Sequence, residues 1–209
     1  GDISINTVRG TIDMVGGTLY AKSIISSFVV GTSGQIFFNG GELEATANST
    51  NFVNVRGSTL IASNGAFIDS AGFNITMTSP IIHHTNAAEA AIDGGLTKLG
   101  NCILTLKRTN TYTGPTTVNA GSLFIGDRHT SPITVQSGAG IGGEGTNTLA
   151  LTLEGTNTLY FNPSTASCLA VSNLTVNGDN IRVVASGGGT PGTGTVVIAS
   201  SEVITAPLS

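Results

Sequence analysis

The sequence predicts an all-β fold, a right-handed parallel β-helix of roughly ten coils that takes in residues 1–209 as one solenoid. Three observations lead to this prediction: the composition, a series of short alternating strands, and internal echoes of one short sequence. Gly, Thr, Ser and Asn make up 96 of the 209 residues, only 10% of the residues are charged, and mean hydropathy is +0.26. These residue types are weak helix formers, and apolar character with so little charge argues against disorder.

Short apolar runs separated by Gly, Asn, Ser and Thr recur along the chain, as expected for strands joined by tight turns. Only residues 86–92 (NAAEAAI) favour a helix, of two turns at most. If each coil takes roughly 20 residues and rises about 4.8 Å, the chain makes about ten coils. In order, the predicted strands are centred on residues 19–21, 36–38, 43–45, 73–77, 104–106, 123–125, 149–153, 174–176 and 196–198.

Internal echoes favour a solenoid over a sandwich, because stacked coils repeat equivalent strands and a sandwich has no reason to do so. In each of the stronger echoes, period-2 geometry places the Leu and the Ala or Ile two residues later toward the core. The echoes are GGTLYA at 16–21, GGELEA at 40–45, the looser GSTLIA at 57–62 and AGSLFI at 120–125, and GTNTL at both 145–149 and 155–159.

The most specific segment is LGNCILTLKRTNTYTGPTTVNAGSLFIG at residues 99–126. Leu104 and Leu106 should face the core, residues 110–114 should form a corner in which Asn bonds the backbone and Gly is left-handed, and residues 119–121 should form the next corner. Residues 127–209 are predicted to continue the solenoid. The motif residues are Gly100, Leu104, Leu106, Asn110, Thr111, Tyr112, Thr113, Gly114, Thr117, Val118, Asn119, Gly121 and Leu123.

This segment resembles the autotransporter-associated β-strand repeat, which is found in the passenger regions of bacterial autotransporters. Two departures are visible: Pro115 stands where the repeat usually has a second Gly, and Cys102-Ile103 replaces a small residue and Thr. The resemblance implies an extracellular protein at the bacterial cell surface. It also implies a membrane barrel elsewhere in a full-length precursor, of which this chain would be a passenger fragment.

Composition and motifs exclude several other functions. The net charge is −4 and no basic cluster extends beyond Lys107-Arg108, so no nucleic-acid partner is expected. The longest apolar runs are too short to span a membrane. No catalytic, cofactor or metal site is predicted: Glu42 and Glu44 share one strand face as a solvated edge, and His83-His84 point to opposite sides of a surface loop. Asp69, Asp93, Asp127 and Asp179 are expected in turns.

The two cysteines are expected to be free. Cys102 and Cys168 are 66 residues apart, or about three coils and about 14 Å along the axis, which exceeds the reach of a disulfide. Because Cys102 falls on the face of Leu104 and Leu106, both thiols are predicted to be buried.

The expected function is that of a noncatalytic extracellular surface β-helix, a passenger segment that acts as an adhesin or a stalk. Its partner would be a ligand on a host or bacterial surface. An alternative is a self-assembling subunit of an extracellular filament or sheath, which associates through terminal coils or rod faces, because no polar cap is visible at either end. A third is a polysaccharide-active enzyme, which needs a groove lined by at least two carboxylates about 5–10 Å apart.

Overall fold

The structure, a computed structural model, describes residues 1–5, 9–26, 33–85, 91–162, 164–165, 167–178 and 180–185. All the regular structure in these ranges is β, in twenty-three short strands. Among these residues, no helix has the length and apolar character to cross a membrane. The helical candidate at 86–92 and the strand predicted at 196–198 lie wholly or mostly outside the described residues.

The strands stack in three sheets that wind around one axis. The first sheet contains β1 (Asp2–Ile5), β4 (Ser23–Ser26), β7 (Ser49–Asn54), β10 (Ile75–Met77), β13 (Ile103–Leu106), β15 (Ser122–Ile125), β18 (Gly140–Gly143), β20 (Asn157–Asn162), β21 (Ser167–Cys168) and β23 (Ile181–Ala185). The second contains β2 (Arg9–Met14), β5 (Ser33–Phe38), β8 (Thr59–Ile61) and β11 (Ile81–His83). The third contains β3 (Thr18–Ala21), β6 (Glu42–Ala45), β9 (Ala66–Asp69), β12 (Leu96–Leu99), β14 (Thr116–Val118), β16 (Arg128–His129), β17 (Ile133–Val135), β19 (Thr146–Glu154) and β22 (Ala170–Asn177).

The predicted all-β parallel solenoid is confirmed. The first four coils each take one strand from every sheet in turn, so β1, β2 and β3 are followed by β4, β5 and β6 directly above them. Of the pairs between these strands, only the short pair of β20 with β21 is antiparallel. Eight coils and the first strand of a ninth lie between Asp2 and Ala185. The handedness and the total of about ten coils stay predictions.

The echo between 16–21 and 40–45 marks true stacking. Leu19 pairs with Leu43 and Ala21 with Ala45, so the repeated letters lie on top of one another in the third sheet. Leu43 and Ala45 are buried, whereas Tyr20 on the opposite face is 61% exposed. The alternation therefore assigns inward and outward faces as period-2 geometry requires.

The looser echoes do not mark equivalent positions, and reading them as stacked strands was wrong. GSTLIA at 57–62 forms β8 of the second sheet, and AGSLFI at 120–125 forms β15 of the first. The two copies of GTNTL begin β19 of the third sheet and β20 of the first. Every wall of the solenoid alternates apolar and polar residues, so similar letters arise in different walls.

The core is a thin apolar column enclosed by the three sheets. The largest fully buried side chains in it include Phe38, Phe52 and Tyr112, and aliphatic residues from consecutive coils stack between them. Ile75, Leu104, Leu123 and Ile141, for example, are register partners in the first sheet and are all buried. Each coil thus contributes a few inward side chains, which is how 39% apolar composition suffices.

Coil length decreases at the motif. Register partners Ile75 and Leu104 are 29 residues apart, whereas Leu104, Leu123, Ile141 and Leu159 follow at spacings of 19, 18 and 18. The second wall accounts for the change: after β11 it continues only as single bridges and the two-residue β16 before it merges into the long β19. The motif therefore lies where a wide coil becomes a narrow one.

Candidate functional site

The motif covers slightly more than one coil, so its two ends stack on each other. Leu104 pairs with Leu123, and both are buried. At the corners before these strands, Gly100 and Gly121 have φ values of 67° and 62°. A Cβ on Gly121 would lie 2.3 Å from the Cys102 carbonyl oxygen, so only glycine fits this corner.

Asp93 and Thr113 hold the Asn-Thr-Tyr-Thr-Gly corner against the preceding coil. The Thr113 N–H donates to Asp93 Oδ2 at 2.7 Å, and the Asp93 N–H donates to Thr113 Oγ1 at 3.0 Å. Asp93 Oδ1 also accepts from the N–H groups of Gly95 and Gly114, at 2.9 and 2.8 Å. Burial acts to raise the pKa of this carboxyl, but its N–H donors and His83 hold the pKa below its usual value.

Gly114 is needed for space and not for a left-handed backbone, so that part of the sequence prediction was wrong. A Cβ on Gly114 would lie 2.2 Å from the Asp93 carbonyl oxygen and 2.4 Å from the Gly95 nitrogen. Pro115, the departure from the repeat pattern, places its carbonyl oxygen against Gly95 and accepts the Leu96 N–H at 3.0 Å. The corner is closed by tight packing between successive coils.

Two further motif residues carry their polar groups into the interior. Asn110 is buried, and its Oδ1 accepts the N–H of Ile81 at 3.0 Å, which bonds the backbone as predicted. Tyr112 is fully buried, with its hydroxyl 2.5 Å from Thr116 Oγ1 and 3.3 Å from His129 Nε2. Burial raises the pKa of Tyr112 and lowers the pKa of His129 to about 4. His129 is therefore neutral at pH 7, and its Nδ1 has no hydrogen-bond partner.

Lys98 is a buried cation that the sequence gave no reason to single out. It lies on the inward face of β12, and its Nζ donates to Ser70 Oγ and to the carbonyl oxygens of Leu99 and Gly100, at 2.8, 2.5 and 2.6 Å. Burial lowers its pKa to about 8. These bonds hold the corner at which the motif begins.

The histidine pair and the cysteines depart from their predicted settings. His83 ends strand β11 and does not lie in a loop; its Nδ1 is 2.9 Å from Asp93 Oδ2, and His84 packs edge-on against Phe37. Cys102 and Cys168 are free, as predicted, but exposed. Cys102 has a φ of 71° in the turn before β13, so the strand alternation does not extend to it.

The outer face of the third sheet carries a threonine ladder, which we define as Thr97, Thr117, Thr134, Thr152 and Thr175. Each is the register partner of the next, one per coil over five coils. Side chains on neighbouring strands lie about 5 Å apart, so the ladder presents methyl and hydroxyl groups at a regular spacing over about 19 Å.

An acidic triplet lies on the same face nearer the first coil. Carboxylate oxygens of Glu42, Glu44 and Asp69 lie within 4.8 Å of one another, a spacing at which one cation could be shared. Burial, together with the neighbouring carboxylates, raises the pKa of Glu42. These distances meet the carboxylate criterion for an enzyme. The cavities described below and elsewhere in the described part of the chain, however, are lined by other residues.

A cavity of about 510 Å³, which we call the first-sheet groove, runs along the outer face of the first sheet. Thr76, Thr105 and Phe124 line its floor, because their neighbours along each strand point into the core. Lys107, Glu144 and Asn162 lie at its side, at the ends of the strands. The groove thus combines one aromatic ring with hydroxyl, amide and charged groups.

The comparisons with known proteins agree with this architecture. The family described as Passenger-associated-transport-repeat matches residues 96–123, which overlaps the segment predicted at 99–126. The chain carries a passenger repeat. The resemblance to autotransporter passenger-like repeat proteins that the sequence predicts is confirmed.

The chain is also similar to the adhesin BmaC autotransporter of Brucella suis biovar 1 (strain 1330), with 32% identity over 123 residues. That alignment covers 55% of this chain and 3% of the adhesin, so the chain spans a small part of its relative's length. No solved structure matches the chain. The passenger repeat and this relative support an extracellular, cell-surface location and a surface passenger or adhesin-like role, as expected from the sequence.

Proposed function

We propose that the chain is a noncatalytic, rigid segment of a bacterial surface passenger and that it acts in adhesion through its outer faces. The observation that carries this proposal is the continuity of those faces: the threonine ladder and the first-sheet groove each cross several coils in register. The apolar column beneath them fixes the side-chain positions, because each coil packs on the next. The similarity to an adhesin supports the same role.

A bead assay tests this function. Beads coated with the full chain should attach to epithelial cells or to bacterial cells in larger numbers than beads coated with the same chain unfolded by acid and blocked from refolding. The comparison isolates the folded faces from the composition. Equal attachment by both bead types to every surface would refute an adhesive role and leave the chain as a stalk.

Self-assembly into a filament is a second candidate, and a specific feature favours it. Among the described residues, β1, β2 and β3 each pair with one strand only, and Val15 and Tyr20 in the same coil are 66% and 61% exposed. An open parallel edge beside apolar side chains is a template for another strand, from a longer chain or from a second copy. Sedimentation velocity from low to high concentration distinguishes the two candidates, because a strictly monomeric species throughout would eliminate the filament.

Catalysis on polysaccharides is the least favoured function. The acidic triplet lies on a sheet face, whereas hydrolysis requires carboxylates on both sides of a bound sugar. Release of reducing ends from polysaccharide by the purified chain, abolished by Glu42→Gln, would overturn the noncatalytic assignment.

A further inference from the structure

The first-sheet groove has an aromatic ring held in place before any ligand arrives. Phe124 lies on the outer face of β15, and its ring centroid is 5.2 Å from that of Tyr160, two coils further on. Gly142 lies between them, and a Cβ there would come within 2.6 Å of the Tyr160 Cβ and 3.3 Å of Phe124 Cε1. Tyr160 in turn places its hydroxyl 3.5 Å from Ser122 Oγ. The missing side chain at position 142 therefore lets the two rings support each other.

The polar groups of the groove are fixed as well. Glu144 Oε1 accepts from Asn162 Nδ2 at 2.6 Å and from Thr165 Oγ1 at 2.9 Å, so the carboxylate is oriented beside the ring. Thr76 and Thr105 are register partners and present stacked hydroxyl groups along the floor. Lys107 contributes one positive charge and Glu144 one negative charge, so the groove has no net charge from this pair. That balance favours an uncharged ligand over a polyanion or a polycation.

The backbone beneath the groove is not available to a peptide. An extended peptide binds by adding a strand at an open sheet edge, where main-chain groups are free. β13 is paired with β10 on one side and β15 on the other, and β15 is paired with β13 and β18. A ligand on this face can therefore use only side-chain groups and the aromatic ring.

We propose that the first-sheet groove binds an uncharged oligosaccharide. A sugar ring has an apolar C–H face that can stack on Phe124, and hydroxyl groups that can donate to Glu144 and accept from Lys107 and from the threonine hydroxyls. The groove crosses several coils at about 4.8 Å each, so it suits a chain of sugars more than a single one. The inference rests on the proposed adhesive function and gives it a ligand class.

The test is binding of the labelled full chain to an array of immobilised glycans, which carries neutral hexose and N-acetylhexosamine oligosaccharides beside sialylated and sulfated ones. We expect binding to one or more neutral glycans. Phe124→Ala should weaken it at least tenfold, and Glu144→Gln should weaken it severalfold with the fold intact by circular dichroism. Tyr20→Ala removes an exposed aromatic ring outside the groove and should leave binding unchanged.

Three results would overturn the proposal: no binding to neutral glycans, binding to charged glycans only, or equal binding by wild type, Phe124→Ala and Glu144→Gln. The bead assay separates this failure from that of the adhesive function. Beads that attach while the array shows no neutral glycan would keep the adhesin and eliminate the oligosaccharide ligand. If Phe124→Ala fails to fold, Glu144→Gln still decides the outcome.

Discussion

The substitution Asp93→Asn tests whether one buried carboxylate joins the passenger repeat to the coil before it. Asparagine keeps the shape and one acceptor oxygen, which can still serve Gly95 and Gly114 at the position of Oδ1. It places an NH₂ group where Oδ2 now accepts from the Thr113 N–H and Thr113 Oγ1 and lies 2.9 Å from His83 Nδ1. A donor then faces donors.

Loss of two charge-assisted hydrogen bonds, at about 1.5–2 kcal/mol each, gives an expected decrease of about 3–4 kcal/mol in the free energy of unfolding. The assay is urea unfolding followed by circular dichroism at pH 7, with Asp13→Asn as the control, because Asp13 is exposed on β2. The control should change the free energy of unfolding by less than about 0.5 kcal/mol.

The pH dependence gives a second readout. The pKa of Asp93 is lowered in the folded protein, so its contribution to stability is present above the unfolded value of 3.8 and is lost as pH falls through the lower folded pKa. Wild type should therefore lose stability below pH 3.8 more steeply than Asp93→Asn. A variant as stable as wild type at pH 7, with the same slope in acid, would refute the assigned role of Asp93.

Three further predictions concern the core and the corners. His129, with its pKa lowered to about 4 against 6.5, should cost stability as pH falls from 6.5 to 4, because the unfolded chain binds the proton first; unfolding titrations should show this slope in wild type and lose it in His129→Gln. Leu104→Ala should lower the free energy of unfolding by about 2–5 kcal/mol, whereas Thr134→Ala on the outer face should change it by less than about 0.5 kcal/mol, and equal effects in urea unfolding would contradict the assigned faces. Gly121→Ala and Gly17→Ala both strain a positive φ, but only Gly121 meets a carbonyl oxygen at 2.3 Å, so thermal unfolding should show a clearly larger loss for Gly121→Ala.

The sequence predicts the solenoid well because its strongest signals are local. Alternating Leu and Ala at Leu19 and Ala21 indicate which side chains enter the core, and their repetition 24 residues later gives the register of two stacked strands. A turn is equally local, so the glycine corners at Gly100 and Gly121 could be identified. Alternation ends where a strand ends, which is why Cys102, one residue before β13, was assigned to the wrong face.

The contacts that join one coil to the next could not be predicted from the sequence. Asp93 bonds to Thr113 over 20 residues, and Tyr112 approaches His129 over 17, because each pair belongs to consecutive coils. Coil spacing varies from 18 to 29 residues along the chain, so no fixed period identifies such partners. The first-sheet groove has the same origin, since its residues come from separate coils.

The change from a wide coil to a narrow one has a mechanical consequence. Hydrogen bonds between coils run along the axis, so a tensile load applied at the ends passes through every coil in series, and the strands of each coil share it. Beyond the passenger repeat the second wall is reduced to short bridges, so fewer bonds share the same force there. Within the described chain, a pulled rod should therefore yield first on the narrow side and peel coil by coil, while the wide coils remain folded.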